Sequence, residues 1–505
     1  FRSSGAGDFQ KDGSSTLELR GANTYTGQTI SNGGILRMGI YGAAAGVGAP
    51  GTGGNGTLAL ASSIRGVAGI LDLNSTSQTV SRFAASSTGG TIQLVNGSLT
   101  LMDQNTQTIG TVFTGNLNSV INVNSTVAGQ TLSMTGSSTG FGGTINVGTN
   151  AALTLNAASG AFNSTGIAGA RINLNGTGTQ LTVTLADTIG SLAGTGNAVL
   201  TLGLTLREAR SGAVSATGFS GATSGAGALV LSNFGGLTLS GNLAHTGGIT
   251  LSSSSTIILN YGAGNNILPS VGALTLNGGT IRIISTGTGI LESVASTTLN
   301  AGASSIESLI HFTAESEYSQ LPGFAGINLG TITRAVGGTL RVGTSAAATS
   351  NANGASGILG GWATFGAETW AVANGAGTAI SGLTSYSADA FGTNLNTDIT
   401  AAGTVAGAST ATIRFSGAND ADITGSMTLE TGGILVSSSV GAHTSTISAS
   451  LTSGAGNELI INQYNVLGDL VLSNVDGTAN TIITTTGGGR TLLTNNMTGT
   501  GATNI

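Results

Sequence analysis

The sequence predicts an all-β chain wound as a parallel β-solenoid with loop excursions. Three observations lead there: a composition rich in glycine and aliphatic residues yet almost uncharged, a recurring Gly-Gly corner followed by alternating residues, and a scarcity of helical periodicity.

The composition excludes several classes. Glycine makes up 86 of 505 residues and charged residues 7%, with 3 prolines and 0 cysteines. Hydrophobic residues reach 39% and the mean hydropathy is +0.30. Disordered chains combine low hydrophobicity with high net charge, the opposite profile. Collagen is excluded because there is no Gly-X-Y period and hardly any proline. No run of apolar residues is long enough for a membrane-spanning helix in this segment, and aromatics at 4% are too few and too scattered for the girdles of an outer-membrane barrel. The net charge is −6, and the 14 Lys and Arg do not cluster, so there is no basic footprint for nucleic acid. A surface of Thr, Ser and Asn rather than Lys and Glu predicts an extracellular or cell-surface location, although the lack of cysteine suits either side of an envelope. "FRSSGAGDFQ" at one end and "TGTGATNI" at the other lie in mid-pattern, which predicts an interior piece of a longer or processed chain.

The corner motif recurs as GGILRM (33–38), GGTIQL (89–94), GGTINV (142–147), GGTIRI (278–283) and GGTLRV (337–342), with GGILVS (432–437) a weaker copy. Each clean copy places two apolar residues two apart: Leu36/Met38, Ile92/Leu94, Ile145/Val147, Ile281/Ile283 and Leu340/Val342. Residues two apart share one face of a strand, so each copy predicts a short strand with one buried face. A second motif, Φ-x-Φ-x-Gly followed by Thr-Gly, appears at 17–27, 237–247 and 413–425, with a looser relative at 132–143. Clean corners are separated by 56 residues (33 to 89), 53 (89 to 142) and 59 (278 to 337), a range that signals repeats. Other Φ-x-Φ segments lie between them: TLAL (57–60), LTLN (153–156) and LVLS (471–474). Helices are disfavoured because most segments carry a glycine costing ~1 kcal/mol in a helix interior. Hairpin turns such as Asn96-Gly97, Asn175-Gly176 and Asn277-Gly278 are too few for an antiparallel sandwich or propeller. Stacked coils with aliphatic interiors and polar ladders outside fit better, and at about 20 residues per coil they predict roughly 25 coils.

The stretch "LELRGANTYTGQTISNGGILRMG" (17–39) resembles the bacterial autotransporter-associated β-strand repeat, through Leu17, Leu19, Gly21, Asn23, Tyr25, Thr26, Gly27, Thr29, Gly34, Leu36 and Gly39. The likeness is weaker at 237–259, where His245 replaces the tyrosine, and weaker again at 413–435. "GILGGWATFGAETWAVANG" (357–375), holding Trp362 and Trp370, resembles a segment found between such repeats in long bacterial surface proteins. The resemblance implies a secreted right-handed parallel β-helix, exported as a passenger or surface fibre, and brings no catalytic residues with it.

The residues themselves offer little chemistry. His245, His311 and His443 are far apart in sequence and match no metal motif, so they read as surface or corner residues. Glu315 and Glu317 would share a strand face and bind Ca²⁺ weakly or act as an acid/base pair, but they read first as an exposed loop. Asp420 and Asp422 read as a corner turn, since the calcium-binding nonapeptide is missing. The strand arginines Arg37, Arg282, Arg341 and Arg414 are outward positions with no evident partner. Trp362, Phe365, Glu368 and Trp370 could stack on a sugar, but read better as an excursion anchored against the coils. No catalytic, cofactor-binding or metal residue is therefore assigned, and no cofactor.

These readings predict solenoid repeats over 1–300, solenoid with larger excursions over 301–400, and further repeats over 401–505, forming one continuous rod. The expected function is a non-enzymatic structural protein of the bacterial surface or extracellular matrix: a fibre or passenger stalk, self-associating end to end or laterally. An alternative is an adhesin binding glycans or cells through loops at 301–330 and 351–400. A third is a polysaccharide lyase or hydrolase, which would require Glu315, Glu317 and Glu368 to converge.

Overall fold

A computed structural model describes residues 4–20, 23–39, 63–66, 68–84, 87–162, 169–207, 217–261, 267–285, 290–310, 325–344, 346–454, 457–475, 482–494 and 503–504. The fold is an all-β parallel β-solenoid of about 17 turns with almost no helix. Ser438–Val440 forms a 3₁₀ turn. The chain divides into two compact units, Phe1–Ile249 and Thr250–Ile505.

In the first unit every strand pairing is parallel, and each strand lies on its counterpart one coil away. Ser98–Leu101, Val120–Val123, Thr144–Val147 and Arg171–Leu174 form an unshifted ladder. Alternation sends Leu99, Ile121, Ile145 and Ile172 inward in one column, and Leu101, Val123, Val147 and Leu174 in a second, all buried. A second ladder stacks Gln130–Met134, Ala151–Leu155, Gln180–Val183 and Asn197–Leu200. Asp187–Ile189, Leu204–Leu206 and Leu229–Leu231 form another. The scarce aromatics are used inside: Phe83, Phe113, Phe141 and Phe162 follow one another through the core with ring centroids 5.9, 6.5 and 6.1 Å apart.

The corners behave as their glycines require. Gly34 has φ of 62°, a left-handed conformation that only glycine adopts at no steric cost. A Cβ on Gly34 would also run into the Ser15 carbonyl of the coil before it. Coil length varies, because equivalent residues on successive coils are 20, 22, 24 or 27 positions apart. That variation, with the excursions, lowers the coil count below the roughly 25 expected from a uniform coil of about 20 residues. The segment TLAL (57–60) lies outside the described residues.

The second unit holds two stacks. In the first, Thr256–Tyr261, Thr280–Ser285, Gly302–Ile310, Gly338–Val342 and Ala363–Phe365 pair in parallel. This ladder closes with antiparallel strands, Thr369–Val372 against Ala363–Phe365 and Ser381–Gly382 against Thr369–Val372. An 11-stranded sheet then begins at Ser387–Ala388 and turns its corners partly inside long strands. Gly403–Phe415 pairs with Ala421–Val436 through register shifts at Ala406/Ala408 and Thr410/Thr412, the signature of bulges that bend a strand. The core of this second stack is mostly aliphatic, with Phe415 inside it and Phe391 packed against it.

The corner copy at 432–437 differs from the others. Ile434 and Val436 point into the core of the second stack. Leu435, which lies between them on the opposite face of the strand, is also buried, because Trp370 and Ile358 from the end of the first stack cover it. Asn462 Nδ2 donates to the Gly361 carbonyl at 3.1 Å across the same contact.

Candidate functional site

The outward faces carry hydrogen-bonded ladders. Thr100, Asn122, Asn146 and Asn173 lie in register on four coils of the first unit. Asn122 Nδ2 donates to Thr100 Oγ1 at 3.0 Å, Asn146 Nδ2 to Asn122 Oδ1 at 2.9 Å, and Asn173 Nδ2 to Asn146 Oδ1 at 2.9 Å. Stacked amides pair without the repulsion that stacked charges would suffer.

Several of the few charges are also paired across coils, which corrects the expectation that the strand arginines have no partner. Arg37 lies in register with Asp72 and bonds it at 2.8 Å. Glu307 sits between Arg282 at 3.3 Å and Arg341 at 2.5 Å. Arg414 grips Asp398 through two nitrogens at 2.6 and 3.0 Å, with its guanidinium 3.6 Å from the centre of the Tyr386 ring. The more exposed of these pairs, those of Glu307 with Arg282 and Arg341, contribute about 0–1 kcal/mol each; the effect of all of them is to make each coil favour the register of its neighbour.

Asp187 and Glu292 are buried carboxylates that went unnoticed in the sequence. Asp187 accepts the backbone N–H of Ala161 at 2.7 Å and of Phe162 at 3.1 Å, one coil earlier. Glu292 repeats the device in the second unit on Ile267 and Leu268, at 2.6 and 3.1 Å. A carboxylate that replaces the water lost by two backbone donors satisfies both partners at once. A signal was present: Asp187 shares an inward column with Leu204 and Leu229, an anomalous residue in an aliphatic row.

The motif tyrosine is a core plug. Tyr25 is buried, bonds Thr29 Oγ1 at 2.6 Å and stacks on Phe9 at 5.6 Å. His245, its counterpart at 237–247, sits in a corner but is fully buried rather than at the surface. Its Nε2 donates to the Gly248 carbonyl at 3.0 Å, and its Nδ1 accepts from Thr223 Oγ1 at 2.7 Å. Burial keeps the ring below the ordinary histidine pKa. His443 lies beside Asp420 at 3.5 Å. Asp420 accepts the Thr444 N–H, and Asp422 accepts Ser448.

Among the described residues no group of three or more His, Cys, Asp and Glu could hold a metal. His311, Glu315 and Glu317 lie outside them. Glu368 is taken up by the hydroxyls of Ser437 and Ser438, while its carbonyl accepts from Arg414. Trp370 is buried and unavailable to a sugar. Among the described residues no helix is long and apolar enough to cross a membrane.

The fold defines the class, a parallel β-solenoid whose outward side chains pair coil to coil. No family, curated protein or solved structure matches the chain.

Proposed function

We propose that the chain is a non-enzymatic structural protein of the bacterial surface or extracellular matrix, a solenoid fibre or passenger stalk of the autotransporter-associated repeat kind. The observation that carries this reading is the Thr100–Asn122–Asn146–Asn173 ladder on unshifted strands. Such stacking accumulates stability from nearest-neighbour coils, without cofactor or disulfide. The resemblance of residues 17–39 to the repeat, and the cross-coil pairing of scarce charges, support the same role. The partner expected is a second copy of the chain, end to end or side by side.

The adhesin reading has less support. Residues 358–386 from one proposed binding segment are engaged with the second stack, through Trp370 on Leu435 and Tyr386 on Arg414. Negative-stain imaging of native material tests the proposal. Long fibres of constant width are expected; isolated short particles at all concentrations would sink it.

A further inference from the structure

A notch opens in the first unit where one corner is long and the next is short. Between Arg171–Leu174 and Gln180–Val183 the chain takes residues 175–179 to turn, whereas between Ser191–Gly194 and Asn197–Leu200 it takes only 195–196. The longer corner overhangs the shorter one. The resulting depression has a volume of about 570 Å³ and is lined by residues 176–180 and 195–197. It opens widely to solvent, with Thr177, Thr195 and Asn197 exposed on its rim.

Its chemistry is uniform. Thr177, Thr179, Gln180, Thr195 and Asn197 supply the side chains, and no charged or aromatic residue lines it. Thr179 Oγ1 is held by the Gly176 carbonyl at 3.0 Å, and Asn197 Oδ1 accepts the Ala222 N–H at 3.2 Å. Among the described residues the Gln180 carboxamide and the hydroxyls of Thr177 and Thr195 make no hydrogen bond, and the Asn197 amide group keeps its N–H donors. The floor is open because residue 196 is glycine: a Cβ there would meet the Thr179 hydroxyl.

We infer that this notch is a binding site for a neutral saccharide. An ion would find no countercharge there, and an apolar ligand would leave these donors and acceptors unpaired at a cost. A saccharide presents hydroxyls that both donate and accept, which is what the free carboxamide, amide and hydroxyls require. The site is separate from the loops considered for adhesion and does not depend on the structural role.

The test is a titration of the full chain with neutral hexasaccharides (gluco-, manno- and xylo-oligomers), followed by calorimetry and by amide chemical shifts. One saturable site is expected, with shifts centred on residues 176–180 and 195–197. The double variant Gln180→Ala/Thr195→Val, one change at a strand end and one at an exposed corner, should bind about tenfold more weakly with unchanged circular dichroism and melting temperature. Gln180→Glu, which keeps shape but adds charge, should weaken a neutral ligand and not restore it. Absence of binding by every neutral oligomer, equal binding by the double variant, or tighter binding of an acidic oligomer such as oligogalacturonate would each overturn the assignment.

Discussion

Arg334 and Glu458, separated by 124 residues, form a two-pronged ion pair at 2.8 and 2.7 Å in the second unit. Glu458 also accepts the Gly337 N–H at 3.0 Å and the Thr484 hydroxyl at 2.7 Å. The pair ties the end of the first stack to the side of the second. Burial alone would raise the Glu458 carboxyl, but these hydrogen bonds and the Arg334 charge outweigh it and hold its pKa below the ordinary glutamate range.

Breaking this pair from one side leaves a buried charge without its partner. Arg334→Ala should therefore destabilise the second unit by about 3 kcal/mol, read as a lower urea midpoint. The double replacement Arg334→Met/Glu458→Leu should recover a good part of that loss. A single variant indistinguishable from the parent would show that the pair contributes nothing.

Two acid-sensitive steps are expected in different pH windows. His245 has a lowered folded pKa, so the unfolded chain takes up the proton first and stability begins to fall as pH drops below about 6.5. Glu458 likewise has a lowered folded pKa; its contribution is full above about 4.5 and is lost as pH falls below that value. Melting temperature against pH should show both, and His245→Gln should remove only the upper one.

Trp370→Ala should cost about 4 kcal/mol and free residues 358–386 from the second stack. Limited proteolysis would report the release as new cleavage within that segment, while the parent chain remains intact there. Cleavage unchanged from the parent would mean that Trp370 does not hold the contact.

Gly34→Ala forces a side chain into a left-handed corner and onto the Ser15 carbonyl. A loss of about 1–3 kcal/mol is expected, whereas Asn146→Ala, on the open ladder, should cost about 1 kcal/mol or less. Chemical denaturation of the two variants side by side checks the ranking; a ladder residue costing more than the corner would reverse it.

The inward pairs were legible in the sequence. Leu36/Met38, Ile92/Leu94 and Ile145/Val147 are all buried, because a strand's period of two is a local property. The partners of Arg37, Arg282 and Arg414 were not legible, since cross-coil register depends on how many residues each coil consumes. For the same reason the notch at 175–179 and 195–196 was invisible: it arises from the difference between two corner lengths. The cover that Trp370 lays over Leu435, 65 residues further along the chain, was likewise not legible.

By itself the sequence determined the all-β class, the parallel stacking and the identity of the core columns, because alternation and glycine corners act within a few residues. Tertiary structure alone decided which charges pair, where the first ladder of the second unit stops and which outer face is covered. Those outcomes depend on residues tens to more than a hundred positions apart meeting at one level of the stack, as Arg334 and Glu458 do, and no local periodicity encodes that meeting.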